Sequence, residues 1–190
     1  MNELEDDVRE DEFLAVRCQL GEAAATDELV ERWHEPLWSY LHRMTGNDDD
    51  AAELVQETWL RVLRGLPRLR DPARLRPWLF GIARRVFMDR LRTRYGSNVW
   101  AQMAQGTDSD LTDEAFSVDT SGLDQEIEAL HGELGELPVT ERETLTLFYL
   151  RELSLAEVAQ VQAVPIGTVK SRLHRARGML RDRLHDRGYP

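Results

Sequence analysis

The chain has 190 residues, one cysteine and a formal net charge of −11, enough length for one medium domain or two small ones. A lone Cys18 excludes an internal disulfide and a cysteine-rich zinc site, and the first twelve residues, with seven carboxylates and one arginine, are the reverse of a basic signal-peptide start. No membrane span, nucleophile motif, phosphate-cradling glycine loop or metal cluster stands out, so the expectation is a cytoplasmic non-enzyme with no cofactor, no metal and no membrane insertion.

Charge is distributed in blocks. Residues 68–94 carry nine arginines against Asp71 and Asp89, and residues 170–187 carry seven Lys/Arg against Asp182 and Asp186. Between them, residues 97–136 hold ten carboxylates and no Lys or Arg. Such asymmetry points to two polyanion-facing surfaces joined by an acidic tether.

In chain order, residues 1–9 read as a disordered acidic N-terminus. Residues 10–45 supply two helices on Leu14, Leu29, Trp33, Leu37, Tyr40, Leu41 and Met44. The next segment, "DDDAAELVQETWLRVLRGL", places Ala51, Leu54, Val55, Trp59, Val62, Leu63 and Leu66 on one apolar stripe. Its aspartates suit the positive end of the helix dipole, and Gly65 and Pro67 stop it. A further helix over 75–95 uses Leu75, Trp78, Leu79, Ile82, Val86 and Leu91. Periodicity lapses over 96–122, a Ser/Thr/Asp/Gly-rich linker, and resumes at about Leu123–Leu134. Thr140 with Glu143 and Ser154 with Glu157 match capping boxes that open helices at about 141–150 and 155–161. After three residues, Pro165 starts a third helix.

That third helix, "PIGTVKSRLHRARGML", sets Ile166, Val169, Leu173, Ala176, Leu180 and Leu184 on one face. Lys170, Ser171, Arg172, His174, Arg175 and Arg177 take the other, with Thr168 near the start to meet a phosphate. Helix, short turn and basic second helix form the helix-turn-helix pattern, and arginine on such a helix reads guanine in the major groove. The architecture expected is all-α: an N-terminal helical bundle over 10–95 and a C-terminal helix-turn-helix domain over 123–187, joined by a flexible acidic linker.

The run "SLAEVAQVQAVPIGTVKSRLHRARGMLRDRL" resembles the promoter-reading helix-turn-helix of extracytoplasmic-function (ECF) RNA polymerase sigma factors. "DDDAAELVQETWLRVLRGL" and "RPWLFGIARRVFMDRLR" resemble the same group's promoter-melting domain. Two departures are Gln162–Ala163 in place of the usual Leu-Gly turn, which removes a glycine from a left-handed position, and Arg85 in place of a common Asn.

The resemblance implies a transcription initiation factor that binds core RNA polymerase and promoter DNA and answers to an anti-sigma factor. It assigns core binding, on the clamp coiled coil of the β′ subunit, to Asp50, Glu53, Leu54, Val55, Gln56 and Glu57, with the β flap as a second contact. It assigns the −10 element to Leu69, Arg70, Arg74, Arg76, Phe80, Arg84 and Arg85. Phe80 and the loop 69–74 would hold a flipped base, while Trp78 belongs to the core. The −35 element falls to Thr168, Lys170, Ser171, Arg172, His174, Arg175 and Arg177. Asp108, Asp110, Asp113, Glu114 and Asp119 of the linker would mimic RNA in a basic channel. A helix-turn-helix repressor that works without polymerase leaves "ELVQETWLRV" and "RPWLFGIARR" unexplained, and a sigma-like decoy has no need of the basic helix.

Overall fold

The computed structural model describes residues 3–104 and 134–186, and among these there are helices and turns but no strand. The chain divides into two compact units, one running to Arg90 and including Gln160–Gln162, the other made of Leu91–Ala159 and the residues from Ala163 on. In the first, α1 (Glu3–Gln19), α2 (Ala23–Thr45) and α3 (Asp48–Gly65) follow one another through tight turns. Two 3-10 turns, Leu66–Arg68 and Pro72–Arg74, lead from α3 to α4 (Leu75–Ala104).

Residues 3–9, expected to be disordered, are part of α1. Charge explains it: Arg32 of α2 pairs with Asp7 at 3.3 Å, Glu10 at 2.9 Å and Asp11 at 2.8 Å. Asp11 is buried and also accepts the Trp33 indole N–H at 3.3 Å. Burial pushes its carboxyl above the usual value, against the pull of Arg32 and Arg76. At the other end of α1, Gly21 takes φ +82°, its N–H bonding the Cys18 carbonyl at 3.0 Å while Glu22 N–H reaches the Arg17 carbonyl at 3.3 Å. This Schellman closure is the reason a glycine stands there.

The α3 helix starts as its sequence predicts. The Asn47 side chain accepts the Asp50 N–H at 2.9 Å, and Asp48, Asp49 and Asp50 occupy the first turn. Two ionic clamps tie it to α4. Arg61 bonds Asp89 and Glu57, each at 2.9 Å, and Arg90 bonds Glu53 and lies 3.8 Å from Asp50. Inside, Leu29, Leu37, Tyr40, Leu41, Leu75, Leu79, Phe80 and Phe87 are fully buried. Each such leucine or phenylalanine contributes roughly 1.5–3 kcal/mol. Cys18 is buried too, which raises its thiol above the usual range.

The α4 helix continues to Ala104, past Tyr95, so residues 96–104 are helical where the linker was expected. The linker carboxylates Asp108, Asp110, Asp113, Glu114 and Asp119, and the helix expected from Leu123, lie outside the described residues.

From residue 134 on, the chain forms a 3-10 turn, Leu134–Glu136, then α5 (Val139–Leu145), which widens into a π turn over Thr146–Leu150. The α6 (Leu155–Gln162) and α7 (Ile166–Asp186) helices follow. Ser154 and Glu157 form the expected capping box: Ser154 N–H donates to the Glu157 carboxylate at 2.8 Å and Glu157 N–H to the Ser154 hydroxyl at 3.3 Å. Thr140 and Glu143 do not. The α5 helix begins on the Pro138 carbonyl, so Thr140 is already inside it and donates to Glu141. Pro138, at φ −52° and ψ 145°, itself takes the N-cap position, two residues before Thr140.

Between α6 and α7, Ala163 takes φ +55°, and Val164 N–H closes on the Ala159 carbonyl at 3.1 Å. The left-handed turn therefore survives the absence of glycine, with Ala163 bearing a Cβ penalty of about 1 kcal/mol. The α7 helix packs on α5, and Val169, Leu173, Ala176 and Leu180 are buried. Ala163→Gly should stabilise this unit by about 1 kcal/mol, read as a higher urea midpoint for the full chain; a lower midpoint would refute the strain.

Candidate nucleic-acid and partner interfaces

Between α3 and α4 the chain makes a braced loop. Arg68, Arg70 and Arg74 are exposed on it and Leu69 is half-buried. Arg74 pairs with Asp71 at 3.1 Å, and its N–H bonds the Asp71 carbonyl at 3.0 Å. From α1, the Gln19 carboxamide donates to the carbonyls of Leu66 at 3.1 Å and Leu69 at 2.7 Å. At the loop's entrance a Cβ on Gly65 would meet the Trp78 ring at 3.0 Å, so glycine lets the half-buried indole lie against the end of α3. Leu69, Arg70 and Arg74 thus share one presented segment.

The α4 residues divide differently. Arg85 is exposed, its guanidinium donating to the Gly81 carbonyl at 2.9 Å, and Arg84 is half-buried. Arg76 lies over the Trp33 ring at 5.8 Å, a cation–π contact. Phe80, expected from the sequence to hold a flipped base, is 0% exposed. It packs edge-on against Trp33 at 6.1 Å and Tyr40 at 5.5 Å. Leu79, Phe80, Ile82, Ala83, Val86 and Phe87 are all buried, so α4 loses two rows of side chains to the core and Phe80 falls in the second. A base contact is not open to it.

The α3 segment likewise separates into inside and outside. Leu54 and Val55 are buried in the bundle, which removes them from any docking surface. Glu53 and Gln56 are exposed, and Asp50 and Glu57 are half-exposed. The Arg90 hydrogen bond holds the Glu53 carboxyl below its usual range. By spacing, Leu63 belongs to the apolar stripe of α3, and Leu60 lies off it. Leu60 is 49% and Leu63 44% exposed, one and two turns beyond Gln56 on its own face. Their spacing from Gln56 was the available signal.

On α7, Lys170, Ser171, Thr168, Arg175 and Arg177 are half-buried and His174 is exposed. Ser171 hydroxyl donates to the Gly167 carbonyl at 3.1 Å, and Arg175 reaches the buried Glu141 of α5 at 3.3 Å. Arg172, expected among the base-reading residues, is only 6% exposed. It stands three residues after Val169 and four before Ala176, at the margin of the apolar stripe, and is buried in its unit.

Among the described residues no group of His, Cys, Asp and Glu is arranged to hold a metal, and no helix is long and apolar enough to cross a membrane. A capped helix-turn-helix with a basic second helix, on the same chain as a helical bundle that presents an arginine loop, places the chain in the class of two-unit helical nucleic-acid-binding proteins.

Comparison with known proteins specifies it further. The model of sigma-70 region 2 matches residues 29–96, and that of sigma-70 region 4 matches residues 127–180. The ECF RNA polymerase sigma factor SigM of Bacillus subtilis is 33% identical over 165 residues, covering 85% of this chain and 96% of SigM. The ECF RNA polymerase sigma factor SigL of Mycobacterium tuberculosis is 33% identical over 169 residues, 88% of this chain and 93% of SigL. In fold the chain is similar to CnrH, solved in complex with the cytosolic domain of CnrY, with a TM-score of 0.66, 24% identity and coverage of 93% of this chain and 97% of that one. The chain belongs to the ECF RNA polymerase sigma factors.

Phe80→Ala should cost the N-terminal unit about 3–5 kcal/mol and Arg172→Ala should destabilise the C-terminal unit by about 1–3 kcal/mol through lost packing of a buried side chain, both read by denaturation of the full chain. Wild-type stability in either variant would return that residue to the surface.

Proposed function

We propose that this alternative sigma factor carries out no bond-making chemistry and acts in the cytoplasm by docking core RNA polymerase onto particular promoters. Glu53, Gln56 and Glu57, with Asp50 at the helix start, form the polar part of the surface for the β′ clamp coiled coil. Leu60 and Leu63 extend it with apolar area, which supplies the desolvated centre a stable interface needs. The loop bearing Leu69, Arg70 and Arg74, with Arg84 and Arg85 further along α4, takes the unpaired −10 strand. Its arginines hold phosphates and Leu69 walls a base. Arg76 supports this surface from its place over Trp33.

In the C-terminal unit Lys170, Ser171, His174, Arg175 and Arg177 face the −35 major groove, with Thr168 on a phosphate. Buried Glu141 orients Arg175 for this task, as a fixed guanidinium reads guanine better than a mobile one. The β flap is a second polymerase contact of this unit. The observation that carries the reading is the helix-turn-helix itself: a closed left-handed turn at Ala163 leading into a helix whose apolar seam is buried and whose polar side remains basic. With a net charge of −11, the free chain gains little from long-range attraction to DNA, so polymerase docking confers the useful affinity. An anti-sigma factor holds the chain inactive. A solved neighbour of similar fold, the sigma factor RpoE in complex with the anti-sigma factor NepR from Bartonella quintana, supports this (TM-score 0.62, 23% identity, 84% of this chain and 96% of that one).

In vitro transcription by core polymerase on genomic fragments, with and without this chain, tests the whole reading. Start sites that need the chain are expected; DNA retardation without polymerase, and no new starts, would favour a repressor. Gln56→Arg and Leu60→Glu should each weaken core binding at least about tenfold, the effect of one central interface residue, measured by fluorescence anisotropy; unchanged affinity would move the docking surface elsewhere. Arg175→Ala should lose about 1–3 kcal/mol of discrimination at one −35 base pair with core affinity kept, seen in transcription from promoters mutated at each position. An unaltered base preference would remove Arg175 from readout.

A further inference from the structure

The side chain that holds the α3–α4 loop in place comes from 47 and 50 residues upstream. Gln19 is the last residue of α1, and its Nε2 donates one hydrogen to the Leu66 carbonyl at 3.1 Å and the other to the Leu69 carbonyl at 2.7 Å. Both partners are acceptors only, so the nitrogen, not the oxygen, must face them. The same two residues already form a turn, Leu69 N–H to Leu66 O at 3.1 Å, and the carboxamide locks that turn from outside. After Leu69 the chain extends to Asp71, where the second 3-10 turn begins and Arg74 ties back. The presented residues Leu69 and Arg70 therefore leave directly from the locked carbonyl.

Gln19 itself stands on a rigid base. Two hydrogen bonds close the Schellman turn behind it, and Arg17, two residues earlier, pairs with Glu22 at 2.9 Å and Glu28 at 2.7 Å. A donor mounted on a fixed helix end controls a loop more closely than the loop's own residues can.

We infer that Gln19 is a positioning residue for strand capture: its carboxamide sets the path of the Leu66–Leu69 turn and so the presentation of Leu69, Arg70 and Arg74 to the unpaired −10 strand. This rests on the loop's assignment to the −10 element above. It adds a determinant outside the loop and outside every DNA-facing surface. Gln19→Glu is nearly isosteric but turns a carboxylate oxygen toward two carbonyl oxygens, which expels the turn. Gln19→Met keeps the volume and deletes both hydrogen bonds.

The test uses assembled holoenzyme and, as probe, a labelled single-stranded oligonucleotide of the non-template −10 region from a promoter mapped by the transcription assay. Leu69→Ala and Arg70→Ala serve as loop controls. Per assembled holoenzyme, Gln19→Met should bind the strand about tenfold more weakly, the effect of two net hydrogen bonds, and Gln19→Glu more weakly still. Core affinity and preference at the −35 element should match wild type. Loss of thermal stability with strand affinity retained in both variants would make Gln19 merely structural and overturn the inference. Loss in the loop controls alone also overturns it but leaves the loop's role intact, whereas no loss in any variant overturns both.

Discussion

Phe80 has no exposed surface and meets Trp33 and Tyr40 edge-on, so one ring joins α4 to two turns of α2. Edge-to-face pairs of this kind contribute beyond the area they bury, and here they do more than stabilise. Trp33 also carries the Arg76 guanidinium on its face and donates to Asp11 of α1, while its neighbour Arg32 gathers Asp7, Glu10 and Asp11. Three helices are thereby fixed at a single cluster. The first residue of α4 follows the arginine loop directly, so the height at which Phe80 seats its helix sets where that loop ends.

From that constraint the working surfaces of the N-terminal unit follow. The loop is held at its far end by α4, at its near end by Gly65 against Trp78, and in the middle by Gln19. The α3 helix is pinned to α4 by Arg61 and Arg90, while Gln56, Leu60 and Leu63 of the same helix stay exposed. The ionic clamps fix how α3 lies on α4, and Leu60 and Leu63 remain as apolar area outside the core.

In the C-terminal unit the equivalent constraint is a backbone one. Ala163 adopts a left-handed conformation that glycine would take with less strain, because α7 can lay Val169, Leu173, Ala176 and Leu180 into its unit only if the chain reverses there. Packing energy holds the turn; local preference does not. The same packing sorts the arginines. Arg172 goes inside, Arg175 is braced by Glu141, and Arg177 stays at the border, so a helix that looks uniformly basic presents only part of its charge.

Much of this was legible in one dimension. Spacings of three and four marked α2, α3, α4 and α7, the Ser154–Glu157 box marked the start of α6, and the motif runs identified the family, because helices and caps depend on neighbours within four residues. What lay beyond that range required the fold. An acidic N-terminus is helical because Arg32, more than twenty residues away, compensates it. Phe80 and Arg172 sit on the margins of apolar stripes, and how wide a stripe is buried depends on how many partners a helix acquires. Gln19 carries no mark of its role, since its two acceptors are main-chain carbonyls that any residue would supply. Periodicity names a face; only the packed chain says what presses against it.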